Sequence, residues 1–328
     1  MSAFSFTAPY ITEEEELAER EALTEEERKQ IRRDIGLEPS NTVAGGPSVP
    51  TAQIVVEKIQ QVQEQLEQLS EAEKYRQALA AAPVVVTAET DFQAFLRLEA
   101  WDVKRAAQRV ARYWSLRTEI FASSKESSSA PCEILPLTLQ GALTAEERAL
   151  LSLGLVFLLP DDRHGRAVMY FDRTRFTLRV GTREAFLRVL LYVLYTISYR
   201  NNPQFVLLLN VKGFDLYKHF DRTLLKKLLK LIEALPIELK CLHMCGGPGS
   251  SVMSIVLPVF KFMFGPHLRL RTQIQSGSDY EISERLKEFG LDDCHCLPFI
   301  RGAIYNQEQC ADFLKEQRRK ERARRGGE

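Results

Sequence analysis

Between Ala167 and Ile274, short β-type apolar runs alternate with helix-length segments, and no other feature of the chain narrows its fold as much. AVMYFD (Ala167 to Asp172), FVLLLNV (Phe205 to Val211), KCLHM (Lys240 to Met244) and LRLRTQI (Leu268 to Ile274) read as strands. Arg183 to Tyr199, Asp221 to Ala234 and Ser251 to Phe264 read as the helices between them. Strand, helix, strand repeated three times predicts βαβ units, since parallel strands need a crossover long enough to hold a helix. The expected fold class is α/β, a mostly parallel sheet with flanking helices.

Upstream, the pattern changes. Residues 1–50 predict an acidic mobile arm and linker: the first forty hold eleven acidic and five basic side chains and lead into PSNTVAGGPSVP. Thr12 and Thr24 precede acidic runs as helix N-caps do, so a charged helix around Glu13 to Ile35 fits within the arm. Residues 51–121 predict an all-helical section, because Val55, Ile59, Val62, Leu66 and Leu69 step by fours and threes. A second helical section is expected over Thr90 to Phe121. The serine-rich break from Ala122 to Pro131 separates this section from a main domain at 132–305, and 306–328 form a basic tail.

With 44 basic and 44 acidic residues among 328, the net charge is zero, which excludes a whole surface built to grip a polyanion; no nucleic acid partner is expected. The charge-free run between Lys240 and Lys261 has the length of a membrane span, but Gly246-Gly247-Pro248-Gly249 and Pro258 interrupt it. The N-terminus has neither the basic flank nor the apolar core of a secretory signal. A cytoplasmic protein with free thiols is the expectation. Its basic end suits a solvated helix or anionic lipid headgroups, and the latter would make it a peripheral membrane protein.

Several stretches are similar to known wording. FLRLEAWDVKRAAQRVARYWSLR (Phe95 to Arg117) resembles the helical lead-in of CRAL-TRIO lipid-binding domains. Asp162-Arg163-His164-Gly165-Arg166-Ala167-Val168 resembles that family's D-x-x-G-R-P-V, with alanine for proline. In FVLLLNVKGF, Asn210 stands where the family has aspartate in D-x-x-G. The Pro236 to Lys240 turn, the strand CLHMC, the apolar helix SVMSIVLPVFKFMFG, the strand LRLRTQI and LPFIRGA follow in the family's order. The resemblance spans Phe92 to Gly302.

It implies a lipid-binding or lipid-transfer module of the phosphatidylinositol-transfer and tocopherol-transfer kind, with a gate helix over an internal pocket. Gate positions are Met253, Leu257 and Phe264, and a plain buried helix would carry the same residues. Pocket candidates on strands are Tyr170, Asp172, Leu207, Leu209, Val211, Met244 and Ile274. On helices they are Tyr192, Tyr195, Val252, Ile255, Val256, Val259 and Phe260. The three tyrosines offer an apolar ring with one polar tip, as ordinary core tyrosines also do. Headgroup candidates are Asp215, Tyr217, Ser276 and Ser278; without the Ser/Thr and Thr/Lys pairs of the phosphoinositide binders, an apolar or weakly polar ligand fits at least as well.

Rival chemistries are weaker. Cys241, His243 and Cys245 share a strand face, and Cys294-His295-Cys296 makes a second cluster, but neither spacing matches a structural zinc site. HMCGGPGSS lacks the arginine of a cysteine phosphatase loop and the Lys-Ser/Thr of a nucleotide loop. No catalytic residues, no metal and no cofactor are expected. The sequence points to a monomeric, non-enzymatic carrier or sensor of a lipid or other hydrophobic small molecule, working at a transient membrane surface. The alternative is a non-catalytic adaptor recruiting proteins through its helical section and charged arms.

Overall fold

The computed structural model describes residues 11–39, 50–122, 134–172, 174–175, 181–213, 219, 221–247 and 261–325. Two short helices come first, α1 (Glu13–Glu21) and α2 (Glu25–Asp34). The arm breaks into two because Thr24 caps a new helix: its hydroxyl accepts from Glu27 N, while the Glu27 carboxylate accepts from Thr24 N at 2.8 Å. Thr12 caps α1 in the same reciprocal way.

The helical section follows as α3 (Ala52–Gln68), α4 (Glu73–Ala81), α5 (Pro83–Glu89), α6 (Phe92–Leu98) and α7 (Val103–Ala122). The helical section expected over 90–121 is two helices, which turn at Ala100 and Trp101, whose φ values of 50° and 66° are left-handed. Trp101 is 7 % exposed, and its carbonyl accepts from the Lys58 ammonium at 2.8 Å, so packing and a long-range bond hold the turn that local propensity alone would not. Glu89 ties this section to the main domain. It takes two hydrogen bonds from Arg117, at 2.6 and 2.8 Å, and one from Leu137 N at 2.7 Å, all in the interior.

After α8 (Ala145–Ser152) the sheet is laid down: β1 (Val156–Leu159), β2 (Ala167–Asp172), α9 (Arg183–Ser198), β3 (Gln204–Asn210), α10 (Arg222–Ala234), β4 (Glu238–Gly246), helical residues 261–269 (α11) and β5 (Thr272–Ser276). Two more helices close the chain, α12 (Asp279–Glu288) and α13 (Asp293–Arg325), the latter kinked at Gly302 (φ 70°, ψ −150°). The strands stand in chain order; β2 to β5 are parallel and β1 is antiparallel to β2. This is the mostly parallel α/β sheet with flanking helices, preceded by an all-helical section, that the residue pattern predicts.

Right-handed crossovers between successive parallel strands put every connecting helix on one face. Accordingly Phe186 of α9 stacks on Phe171 of β2 at 5.5 Å, and α10 covers the neighbouring strands. On the opposite face Phe299 of α13 stacks on Tyr170 at 5.3 Å. The sheet is thus covered on both sides, and β1, β2 and β3 are apolar nearly throughout, as strands buried on both faces are.

Three expectations change. The fourth predicted strand starts later, since 268–269 complete α11 and β5 begins at Thr272, whose hydroxyl donates to Leu268 O at 2.8 Å. Residues 11–39 of the supposedly mobile arm are docked: Ile11, Asp34 and Ile35 are buried, and Asp34 pairs with Arg271 at 2.7 Å. The basic tail is an integral helix as far as 325, with Cys310, Phe313 and Leu314 in the core and Glu321 accepting from Tyr192 at 3.0 Å. In the last two cases the sequence shows the charges, but their partners lie more than a hundred residues away.

Candidate functional site

A narrow cleft separates the sheet from α10. Its floor is Phe171, Leu207, Leu209 and Leu242, residues that the strand register places on the α9–α10 face. Its roof is Leu224, Leu225, Leu228, Leu229 and Ile232 of α10, and Phe264 and Leu268 of α11 border it. α10 builds a roof because its leucines come in adjacent pairs that repeat every fourth residue. One row (Leu224, Leu228, Leu231) is buried, while the second (Leu225, Leu229, Ile232) packs only partly against the core.

Among the described lining residues, the polar side chains are His219 and Asp221, just before α10. Asp221 caps α10 through Leu224 N at 3.0 Å and pairs with Arg183 at 2.7 Å. Burial pushes the Asp221 carboxyl up, but hydrogen bonds from the backbone and from Arg183 outweigh it and keep it below its ordinary range. The cleft encloses about 50 Å³. A pocket that swallows a small molecule holds roughly 300–1,000 Å³, so α10 and the sheet are almost in contact here.

The structure sorts the candidates drawn from the sequence. Leu207, Leu209 and Phe264 line the cleft. Met244 and Ile274 belong to the same sheet face by register, and Val211 is buried at the end of β3. Tyr170 and Asp172 are corrections: they alternate onto the other face. There the Tyr170 hydroxyl accepts from Asn210 at 3.1 Å and Asn306 at 3.3 Å, and Asp172 accepts from the Thr174 hydroxyl at 2.7 Å. A strand buried on both sides shows no polar alternation from which its facing could be read.

Tyr192 and Tyr195 are also displaced from the cleft. They lie on α9 away from the sheet, beside a separate groove of about 350 Å³ shared with α5 and α13. Tyr195 hydrogen-bonds Tyr199, and burial, the chief cause, raises both phenols. Ser278 spends its hydroxyl capping α12, and Ser276 is exposed at the end of β5, accepting from Arg285 through its carbonyl at 2.7 Å. Val252, Met253, Ile255, Val256, Leu257, Val259, Phe260, Asp215 and Tyr217 lie outside the described residues.

Sequence reasoning missed the α10 leucines, although the repeated Leu-Leu pairs from Leu224 to Leu229 were the signal. The Asp162–Arg166 motif proves to be a turn: Asp162 accepts from His164 N and Arg166 N, each at 2.9 Å, and pairs with the Arg166 guanidinium at 2.6 Å. Asn210, in the place of the motif's aspartate, accepts from Lys212 N at 3.1 Å.

With an apolar cleft between parallel sheet and crossover helix established, comparison with known families becomes informative. The model of a divergent CRAL/TRIO domain matches residues 165–291. The chain therefore carries a divergent CRAL/TRIO domain. No curated protein matches the chain. The CRAL/TRIO match runs from the turn before β2 to the residues after α12, so the cleft lies inside it, while the helical lead-in at 95–117 and the LPFIRGA stretch lie beyond it. At family level this domain supports binding of a lipid or small hydrophobic molecule. No described helix is long and apolar enough to cross a membrane.

Proposed function

We propose that the protein is a non-enzymatic carrier or sensor of an apolar or weakly polar molecule, taken up in the cleft between α10 and the sheet. The reading rests on one observation: inside a divergent CRAL/TRIO domain, two facing leucine surfaces enclose a void, with His219 and Asp221 as the polar side chains among its described lining residues. Each methylene buried there gains about 0.8 kcal/mol, so an alkyl chain of ten carbons would gain roughly 8 kcal/mol against the cost of separating α10 from the sheet. Residues 251–264 serve as the gate in this proposal, supported by their apolar sequence and by Phe264 at the cleft's border. Loading takes place at a membrane surface reached from the cytoplasm, by a protein acting as a monomer without a cofactor.

Purified protein is then expected to carry extractable lipid and to take up a fluorescent fatty acid from vesicles. Leu225→Asp, at a half-buried roof position, should abolish uptake and leave the helical content intact. Mass spectrometry without a bound lipid, together with no uptake by the unaltered chain, would overturn the proposal. An adaptor role would have to use the exposed faces of residues 11–39 and 306–325, since Ile11, Asp34, Ile35, Cys310, Phe313 and Leu314 anchor both segments to the domain.

A further inference from the structure

The acidic arm docks on a cluster of cations, and the pairing is specific. Glu16 of α1 binds Lys261, and Glu19 faces Arg269 at 3.0 Å. Asp34, at the end of α2, reaches Arg271 at 2.7 Å and Lys240 at 3.2 Å. The Asp34 carbonyl accepts from Arg166, and the Gly36 carbonyl lies 3.2 Å from the His164 ring. Gly36 is required at this point: its φ is 90°, and a Cβ would meet Phe289 O at 2.2 Å. Three carboxylates of the arm thus cover four cations from β4, α11 and the turn after α11.

Two features make α1 a releasable cover. The Glu19–Arg269 contact attracts without a hydrogen bond: Arg269 Nε is buried and has no aligned partner, and neither has the Glu19 oxygen beside it. α1 itself buries no residue of its own in the core, so ion pairs hold it. Burial pushes Glu16 up, but hydrogen bonds from Lys261 and Arg20 outweigh it and keep the carboxyl charged below its ordinary range. Beneath the arm, α11 carries Lys261 next to Phe262, which is 44 % exposed, and borders the apolar cleft through Phe264 and Leu268. Cations beside an exposed aromatic on a helix are the composition of a segment that lies on an anionic bilayer.

We propose that α1 forms an electrostatic latch over a membrane-docking surface made of Lys261, Phe262 and Arg269 on α11, and that an anionic bilayer displaces α1 by taking over its two cations, while Asp34 keeps α2 anchored through Arg271 and Lys240. A tethered cover acts at an effective concentration on the order of millimolar, so neutral membranes leave it in place, while a dense array of lipid phosphates and carboxylates outcompetes it. This adds a control to the carrier reading and shares only α11 with it.

The test compares the full-length chain with Glu16→Gln/Glu19→Gln and with Glu13→Gln/Glu14→Gln. The second pair has the same change in net charge, but its carboxylates are exposed and make no ion pair among the described residues. Co-sedimentation is measured with vesicles of equal parts phosphatidylcholine and phosphatidylserine, and with phosphatidylcholine alone. Freeing Lys261 and Arg269 should tighten binding to the mixed vesicles about tenfold, each exposed cation contributing about 1 kcal/mol before screening, with no change on neutral ones. Adding Lys261→Gln to the Glu16→Gln/Glu19→Gln chain should return binding most of the way to that of the unaltered protein. Equal gains in both double variants would mean bulk charge alone, and no gain in either would mean an acidic protein or nothing at all fits the surface; either result overturns the latch. Fatty-acid uptake is scored separately, so its absence in every variant would count against the carrier and leave the latch intact.

Discussion

Two rows of side chains cross the same sheet, one on each face, and they are built differently. On the α12–α13 face the row is Phe157, Tyr170, Leu208, His243; on the α9–α10 face it is Val156, Phe171, Leu209, Met244, Ile274. The first row is locked by directional contacts. Phe157 meets Tyr170 at 5.4 Å, Tyr170 meets Phe299 at 5.3 Å, His243 meets Phe289 at 4.9 Å, and two asparagines hold the Tyr170 hydroxyl. Apart from Phe171, which meets Phe186 at 5.5 Å, the second row faces mainly leucines, which leave a gap against α10. Aromatic and hydrogen-bonded neighbours fix one geometry, whereas aliphatic surfaces can separate and rejoin with little directional loss. In the proposed reading, one face secures the domain and the other opens for the ligand.

The largest test of that contrast is Phe157→Ala. Phe157 is fully buried on the locked face, so its truncation should cost roughly 3–5 kcal/mol in denaturant unfolding. Ligand uptake per folded molecule should not change; a loss of uptake at full folding would show that the two faces are coupled. His243 gives a pH-dependent version. Burial, with Arg166 adding to it, pushes its imidazole down to about 3, so the folded ring is neutral and hydrogen-bonds Cys241 at 3.3 Å through Nε2. An unfolded histidine titrates near 6.5, so between roughly pH 6.5 and pH 3 the unfolded chain binds a proton that the folded chain refuses. Stability must fall with pH through that window, by up to about 4 kcal/mol near pH 3.5. His243→Leu should flatten the acid limb of a urea-midpoint profile, and an unchanged slope would remove His243 from the account.

The sheet, its parallel sense and the order of its blocks were legible because strand and helix periods alternate so regularly from Ala167 onward. The division of labour between faces was not. With Tyr170 and Phe171 adjacent and both buried, nothing local says which one looks at α10; only the register of four strands and the hand of the crossovers decide it. Leu207 and Leu209 line the cleft because they lie in an apolar run whose alternate residues face α10. The docked arm was illegible for a different reason. Asp34 reads as one acidic residue among eleven until folding brings Arg271 and Lys240 to it, across more than two hundred residues.

The sharpest probe of the contrast uses two neighbours that point opposite ways. Leu208 is fully buried in the locked row and Leu209 is 7 % exposed at the cleft floor. Tryptophan at 208 has to displace Tyr170 and His243, which flank it in the register, so Leu208→Trp should lose about 3 kcal/mol, at the upper end of overpacking costs. At 209 the same ring can extend into the 50 Å³ gap, and Leu209→Trp should lose only about 1 kcal/mol. The order reverses for function: filling the gap should abolish fatty-acid uptake in Leu209→Trp, while Leu208→Trp, once folded, should load normally. Equal destabilisation of the two variants would mean that the cleft face is as rigid as the other, and a sheet closed on both sides could not admit a ligand beneath α10.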